Sequence, residues 1–433
     1  MLLLTATAAA PTPSPQIQVN TFTDGLQRCP HVAPSSSGFV VVWESNLGDT
    51  VRMRFLDPAG APLGEAITVS DVQTPVPNSS SGCWAAPRVV QLSDGGHVVT
   101  WWQQDSQTAR GKRFFADGTP AAESFDLNAE RAVRPSALSG GGFVIVYMIG
   151  GIAVPAEQEI AAQIFANDGT PVVAEFLVND LTTGAQRLPS VASTPNGGFI
   201  AVWESRFSLG DDDDNFSIQA RRFDSLGMPL DGQFQVNEII TGRQQRADLG
   251  VGPTGEFIVV WDSISSAGDD QSSFSIQRRH FASDGTPLGG QAQVNRTTAN
   301  WQTLAHVAIA STGEAQIVWE SLTSTGNDPS CRSLLTRRFA ADGSALDPEE
   351  QQVERFWEGA QRWVQVALLP TDDLLVVWMS QSSGGSDVDS YSVQARLMPP
   401  SGALFSDDFE SGNLDAWLFD SSLQCDRSST IGF

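Results

Sequence analysis

The stretch GFVVVWES, residues 38–45, decides the fold, because close copies of it recur along the whole chain. Its aromatic residue returns at intervals that are mostly 56 to 59 residues long. The aromatic positions are Trp43, Trp101, Tyr147, Trp203, Trp261, Trp319 and Trp378. A turn glycine, usually within DGTP, follows in step at Gly60, Gly118, Gly169, Gly227, Gly285, Gly343 and Gly402. The chain therefore contains seven copies of one repeat.

The fourth copy shows the local structure that each repeat predicts. Two strand-like runs, residues 188–193 and 198–204, flank a TPNG turn at residues 194–197, which is the pattern of a β-hairpin. Two further short strands follow around residues 216–223 and 234–237. The second run is apolar on both faces, as a strand between two other sheets must be. Each copy therefore predicts a four-stranded antiparallel sheet without helices.

Seven four-stranded sheets arranged radially form an all-β, seven-bladed β-propeller, which is the fold we predict for residues 16–405. A β-solenoid is the alternative, but its repeats are usually shorter. The seventh copy lacks the strand that ends the other copies, whereas the segment QIQVN, residues 16–20, stands alone before the first copy. We therefore expect the N-terminal strand to complete the last blade and close the ring.

The two ends of the chain lie outside the repeats. Residues 1–15 are apolar and then rich in proline, which is typical of the end of a secretory signal followed by a linker, or of a disordered tail. Residues 406–433 are too few for an independent domain, so we interpret them as a C-terminal tail or a truncated module. No apolar run approaches the ~18 residues that a membrane-spanning helix needs.

Charge and cysteine content narrow the classes of partner. The chain has 433 residues with a formal net charge of −25, which repels both phosphate backbones and anionic lipid headgroups. Nucleic acid is therefore not an expected partner. The four cysteines contain no C-x-x-C pair, which argues against a zinc site. Cys29 and Cys83 precede the first strands of adjacent copies, so we predict a disulfide between them in an oxidising compartment.

Aspartate-rich loops between the second and third strands are candidate metal sites. They contain Asp211, Asp212, Asp213 and Asp214 in copy four, Asp269 and Asp270 in copy five, and Asp328, Asp387 and Asp389 in later copies. Several carboxylates on a flexible loop favour calcium, which takes six to eight oxygen ligands. The spacing matches no D-x-D-x-D-G loop, however, and a solvated loop without metal is the alternative. No other cofactor is indicated.

A Gln-Arg dipeptide precedes the first strand in four copies: Gln27-Arg28, Gln186-Arg187, Gln245-Arg246 and Gln361-Arg362. An anion-binding ring is one interpretation. The hairpin geometry favours cross-strand ion pairs instead, with Arg28 opposite Glu44, Arg187 opposite Glu204 and Arg246 opposite Asp262. Arg362 faces Met379 and lacks the acid.

Four tryptophans outside the strand pattern are candidate ligand-binding residues, namely Trp84, Trp301, Trp357 and Trp363. They lie near the connections between copies, which should emerge on the same face of the ring as the aspartate-rich loops. Aromatic rings beside carboxylates and the guanidinium of Arg362 suit a sugar ring or a protein interface. The alternative is that these rings pack under their own loops.

No catalytic residues are assigned from the sequence. The four histidines, His31, His97, His280 and His306, are scattered through different copies, without a G-x-S-x-G elbow or a Cys-His grouping. A carboxylate pair for glycoside chemistry could still assemble in space from separate copies.

The repeat pattern, G-G-F-(I/V)-x-V-W-(E/D)-S followed by I-Q-x-R-R-F and D-G-T-P-L-G, resembles the propeller-type repeats of secreted or surface bacterial proteins. This resemblance implies an extracellular binding or scaffolding role and assigns no catalytic residues. The segment FSDDFESGNLDAW, residues 405–417, is similar to the opening of modules that end many secreted bacterial proteins. We therefore expect a secreted or surface protein that binds a glycan or a protein without catalysis. A carbohydrate-active enzyme, either a glycoside hydrolase or a lyase, and a purely structural spacer are the alternatives.

Overall fold

The computed structural model confirms an all-β, seven-bladed propeller of four-stranded antiparallel sheets. It describes residues 15–45, 50–70, 83, 86–103, 108–150, 158–271, 273–322, 332–355, 359–381, 386–387 and 391–398. Within these residues there is no helix long and apolar enough to cross a membrane. The predicted leader and C-terminal tail, residues 1–15 and 406–433, lie outside the described residues except for Pro15.

The strands follow the repeat. Strand β1 (Ile17–Gln18) precedes blade one, which contains β2 (Gln27–Ser35), β3 (Gly38–Ser45), β4 (Thr50–Leu56) and β5 (Ile67–Thr68). Blade two contains β6 (Arg88–Gln91), β7 (His97–Gln103), β8 (Thr108–Phe114) and β9 (Phe125–Leu127). Blade three contains β10 (Arg131–Ala137), β11 (Phe143–Ile149), β12 (Glu159–Phe165) and β13 (Pro171–Leu177). Blade four contains β14 (Gln186–Ser193), β15 (Phe199–Ser205), β16 (Ser217–Phe223) and β17 (Phe234–Gln235).

The remaining blades have the same order. Blade five contains β18 (Gln244–Val251), β19 (Phe257–Ser263), β20 (Ser275–Phe281) and β21 (Ala292–Gln293). Blade six contains β22 (Gln302–Ile309), β23 (Ala315–Ser321), β24 (Ser333–Phe339) and β25 (Gln351–Gln352). Blade seven contains β26 (Gln361–Leu368), β27 (Leu374–Gln381) and β28 (Tyr391–Met398), and β1 is its fourth strand.

The first strands of the blades surround the axis of the ring. Each of them contacts the first strand of the next blade, in the cyclic order β2, β6, β10, β14, β18, β22, β26 and back to β2. Because strands alternate in direction, the connections between blades and the loops between second and third strands emerge on one face, which we call the connection face. The two hairpin turns of each blade emerge on the opposite face. First strands therefore start at the connection face.

The core lies between neighbouring blades, which explains why second strands are apolar on both sides. Trp261 is fully buried against Val202 and Val236 of the preceding blade. Its indole Nε1 donates a hydrogen bond of 2.9 Å to the side-chain oxygen of Gln244, at the start of the same blade. Blades one, four, six and seven repeat this bond, from Trp43 to Gln27, Trp203 to Gln186, Trp319 to Gln302 and Trp378 to Gln361. In these five blades the glutamine supplies the acceptor for an otherwise unpaired buried N–H.

The N-terminal strand closes the ring, as the sequence predicted. Strand β1 pairs antiparallel with β28, with Ile17 opposite Ala395. The side-chain oxygen of Asn20, which is 2 % exposed, accepts from the amide of Val393 at 2.8 Å, and its Nδ2 donates to Asp387 at 2.8 Å. Arg54 of blade one donates to the carbonyl of Val19, which joins the closing strand to the next blade. Blade seven is thus built from both ends of the repeat array.

Candidate binding site at the ring axis

A β-bulge near the start of the first strand shapes the connection-face end of the axis in every blade except blade two, whose described residues show none. At the bulge one residue has a left-handed backbone, with φ between 49° and 55° at Cys29, Ala132, Leu188, Arg246, Leu304 and Trp363. The register shifts on both sides of it, as between Gln245 and Asp248 in blade five. This conformation is uncommon for residues other than glycine and turns the amide out of the ladder. The bulge amide then needs an acceptor from elsewhere.

The acid of the VWES motif is that acceptor in three blade interfaces. The amide of Arg246 donates to Glu204 Oε1 at 2.7 Å, and the amide of Leu304 donates to Asp262 Oδ1 at 3.0 Å. The amide of Trp363 donates to Glu320. Each acid belongs to the blade before the bulge, so these bonds join neighbouring blades. Burial raises the pKa of Asp262 to about 6 against the effect of Arg246, and it raises the pKa of Glu320 against the effect of Arg332.

The arginines of the Gln-Arg dipeptides form ion pairs in blades one, four and five. Arg28 pairs with Glu44 and Arg187 pairs with Glu204, both at 2.8 Å and in the predicted register. The predicted register of Arg246 is wrong, because Gln245 lies opposite Asp262 and Arg246 occupies the bulge. Its guanidinium still reaches Asp262 at 3.2 Å. The Gln-Arg dipeptide of blade five lies one residue later than that of blade four relative to the glutamine that binds the anchor indole, which places its arginine in the bulge.

Beyond the bulge, each first strand contributes one side chain to what we call the axial belt. Its members are His31, Arg88, Arg134, Ser190, Asp248, His306 and Gln365, and each lies opposite the residue before the aromatic anchor. Six of them, all but His31, line a small pocket that is partly open to solvent. Leu188, Leu304, Arg246 and Trp363 also line this axial pocket. It therefore lies toward the connection face, where the first strands begin.

Half of the axial belt is a connected hydrogen-bond network. Ser190 Oγ donates to Asp248 Oδ1 at 2.7 Å, and His306 Nδ1 lies 3.0 Å from Asp248 Oδ2. Gln365 Nε2 lies 2.7 Å from the other ring nitrogen of His306. Burial opposes ionisation of Asp248, but its contacts with His306 and Ser190 together hold its pKa below the usual value. Blades four to seven thus share one satisfied polar chain.

The other half contains two cations with few partners. Arg88 is only 6 % exposed, and its guanidinium makes no hydrogen bond or ion pair with any described residue. Arg134, from the next blade, has among the described residues only a long contact of 3.4 Å with the carbonyl of Val133. Burial, and then the neighbouring charge of Arg134, lower the pKa of Arg88 well below its usual value. Burial also lowers the pKa of Arg134 to about 10 and that of His31 well below normal.

The predicted disulfide and Trp363 lie beside the axial pocket. The structure joins Cys29 to Cys83 with their Cα atoms 5.3 Å apart, and Trp363 packs against this disulfide. Trp301, in contrast, packs edge-on against Phe274, with ring centroids 5.8 Å apart, and does not line the pocket. Trp84 and Trp357 lie outside the described residues.

Arg362 lies opposite Met379, as predicted, and it has an acid near it in the neighbouring blade. Glu320 of the neighbouring blade is close enough for the charge of Arg362 to favour its ionised form. The Nε atom of Arg362 is buried without a hydrogen-bond partner among the described residues. The predicted cluster thus brings Trp363 and Arg362 to neighbouring positions of one strand, while only Trp363 lines the axial pocket.

The aspartate-rich loops divide into buried and exposed carboxylates. Asp212 and Asp270 are fully buried and accept hydrogen bonds from Asn237 and Asn295, at 2.7 and 2.8 Å. Asp387 makes the same contact with Asn20. Burial raises the pKa of Asp212 to about 6 against its contact with Asn237. These carboxylates fasten the loop to the fourth strand, a structural role that the sequence analysis did not assign.

Calcium binding by the exposed carboxylates Asp211, Asp213, Asp214 and Asp269 stays a prediction. Among the residues with described positions, no group of three His, Cys, Asp or Glu side chains could hold a metal ion. The amide of Gly242 donates to Asp214 at 2.8 Å. Asp328 and Asp389 lie outside the described residues.

Comparison with known proteins supports the fold and leaves the function open. No protein-family model matches the chain, and no curated protein matches it. A protein of unknown function from Dyadobacter fermentans DSM 18053 is 10 % identical, with a TM-score of 0.51 over 90 % of this chain and 99 % of that chain. A PL25 ulvan lyase bound to a GlcA-Rha3S saccharide is 9 % identical, with a TM-score of 0.56 over 89 % and 97 %. The polysaccharide lyase Uly1 is 9 % identical, with a TM-score of 0.51 over 86 % and 90 %. At these identities the likeness shows the propeller fold alone.

Proposed function

We propose that the protein is a secreted or surface binding module that recognises a glycan through the connection face, at the mouth of the axial pocket. The observation that carries this proposal is the composition of the pocket. Trp363, Leu188 and Leu304 supply apolar surface beside the polar side chains of the axial belt. A flat aromatic ring next to a few converging polar groups suits a sugar, which has both apolar ring faces and hydroxyl groups.

The test is a glycan array probed with the wild type and with two tryptophan variants, each with and without calcium. Trp363→Ala should abolish binding because it removes the aromatic wall of the pocket. Trp301→Ala is the matched control, since it removes an indole from the same face away from the pocket. Circular dichroism should show that both variants stay folded. Equal binding by wild type and Trp363→Ala, or a signal only for a protein ligand, would contradict the proposal.

A carbohydrate-active enzyme is the second candidate, favoured by one observation. Asp248 and His306 lie 3.0 Å apart and both line the pocket, which is the kind of acid–base pair that polysaccharide cleavage uses. Ser190 and Gln365 already occupy the outer atoms of this pair. Release of reducing ends from neutral and acidic polysaccharides by the wild type, lost in His306→Ala, would establish this candidate over simple binding.

A further inference from the structure

The strongest unexplained feature of the molecule is the pair of arginines in the axial belt. We infer that Arg88 and Arg134 form an oxyanion site in the axial pocket, which takes the carboxylate or sulfate group of an acidic sugar. This inference rests on the proposed function for the identity of the ligand, but the site itself is argued from the arginines alone.

Burying a guanidinium without an acceptor is costly, and the other buried arginines of this chain avoid that cost. Arg54, Arg337 and Arg396 are between 2 % and 8 % exposed, as Arg88 is at 6 %. Each of these three donates to a backbone carbonyl of the preceding blade, at Val19, Val294 and Val353. Arg88 has no such acceptor among the described residues, so its burial is not explained by a structural bond.

The two carboxylates that interact most strongly with the charge of Arg88 are already paired with other groups. Asp248 and Glu44 are the carboxylates that most favour the charged form of Arg88. Asp248 already accepts from Ser190 and the amide of Val307 and lies against His306, and Glu44 pairs with Arg28. The two guanidiniums therefore face one pocket as like charges, in a chain with twice as many acidic as basic residues.

Such a pair is a natural receptor for a small oxyanion. Guanidinium groups donate pairs of parallel N–H bonds that match carboxylate, sulfate and phosphate geometry. Low solvent access strengthens these charge-assisted bonds. Because Arg88 and Arg134 come from adjacent blades, one anion between them would also relieve their mutual repulsion. Leu188 and Trp363 line the same pocket and would contact the rest of a sugar that carries the anion.

The experiment measures the midpoint of thermal unfolding and the Kd with three probes: inorganic sulfate, glucuronate and a sulfated monosaccharide, each against chloride at equal ionic strength. Wild type should bind all three. Arg88→Met and Arg134→Met should weaken binding at least about tenfold, since each removes a charge-assisted contact. Arg296→Met is the matched control, because Arg296 is 54 % exposed and pairs only with Glu349 at 3.5 Å. Sulfate also stabilises folded proteins without a specific site, and the increase in unfolding midpoint that sulfate still causes in Arg88→Met measures this general effect.

A second readout separates a binding arginine from a structural one. In chloride, without a bound oxyanion, Arg88→Met should unfold at the same temperature as wild type or higher, because it replaces an unpaired buried charge by an apolar side chain of similar length. Unfolding at a clearly lower temperature would make Arg88 structural and overturn the inference. Equal anion affinity in wild type and Arg88→Met would overturn it as well.

The outcomes also distinguish this inference from the proposed function. Anion binding that depends on both arginines, together with an empty glycan array, would keep the oxyanion site and refute glycan recognition. If the array shows binding to neutral sugars, and Arg88→Met binds them as well as wild type does, the proposed function would stand and the oxyanion site would be refuted. Binding of inorganic sulfate without either sugar would keep the site and refute its sugar occupant.

Discussion

Replacing Asn20 by alanine tests the closure of the ring at a single side chain. Asn20 accepts from the amide of Val393 and donates to Asp387, and all these groups are buried. The variant removes one hydrogen bond from the buried amide and one from the buried carboxylate, at about 1–3 kcal/mol for each. We therefore expect a loss of about 3 kcal/mol in the free energy of unfolding, measured by urea denaturation at neutral pH.

Asn237→Ala is the matched control for this prediction. Asn237 makes the same two contacts in blade four, with the amide of Ile218 at 2.8 Å and with Asp212 at 2.7 Å. If β1 closes the ring, Asn20→Ala should cost about as much as Asn237→Ala, although Asn20 is far in sequence from its partners. An unchanged denaturation curve for Asn20→Ala, beside a clear loss for Asn237→Ala, would refute closure by the N-terminal strand. Deleting residues 1–20 should then also leave stability unchanged, whereas closure predicts an exposed edge and aggregation.

Three further predictions concern the disulfide, a buried acid and the anchor tryptophans. Mass spectrometry of secreted protein should find Cys29 joined to Cys83, and reduction should cost about 4 kcal/mol for a crosslink that spans 54 residues; two free thiols would contradict the pairing. Because folding raises the pKa of Asp262 to about 6, its contribution to stability is lost as the pH rises from about 4 to 6. The urea midpoint should therefore increase between neutral pH and about pH 5, and it should increase less in Asp262→Asn. An equal change of the midpoint with pH in both proteins would refute this. Trp203→Phe should cost about 1 kcal/mol more than Trp101→Phe in urea denaturation. The reason is that Trp203 Nε1 donates to the buried amide of Gln186, which the variant leaves unsatisfied, whereas Trp101 Nε1 has no partner among the described residues. Equal costs would count against the Trp–Gln bond.

The sequence was sufficient for the blade count and for ring closure because both depend on a periodic signal. Seven copies of an apolar second strand require seven sheets, and the missing strand of the last copy has one unmatched candidate, residues 16–20. The register error in blade five came from matching the Gln-Arg dipeptides, because Gln244 is the residue equivalent to Gln186 and Gln245 therefore takes the position of Arg187. The bulge of this blade is formed by Arg246, which is not a glycine and gives no local sign of a left-handed backbone.

The axial belt was missed for a different reason. His31 and His306 are 275 positions apart and look scattered, yet both lie four residues after the glutamine that binds the anchor indole. The same offset gives Ser190, Asp248 and Gln365. Counting back from the aromatic anchor would have brought the belt together, because Arg88, Arg134, Ser190, Asp248, His306 and Gln365 all lie 13 residues before it and His31 lies 12 before it. Blades two and three lack the glutamine, but their anchors, Trp101 and Tyr147, place Arg88 and Arg134 at the same offset.

Closure of blade seven by β1 has a consequence for synthesis of the chain. Residues 17 and 18 are made more than 370 residues before their partners, 394 and 395. At about 5–20 residues per second, this strand waits roughly 20–75 s for a partner. During that time blade one can form from its own strands, while Arg54 faces a neighbour that is not yet fixed. Ring closure therefore joins the first strand of the propeller to be made to the last one.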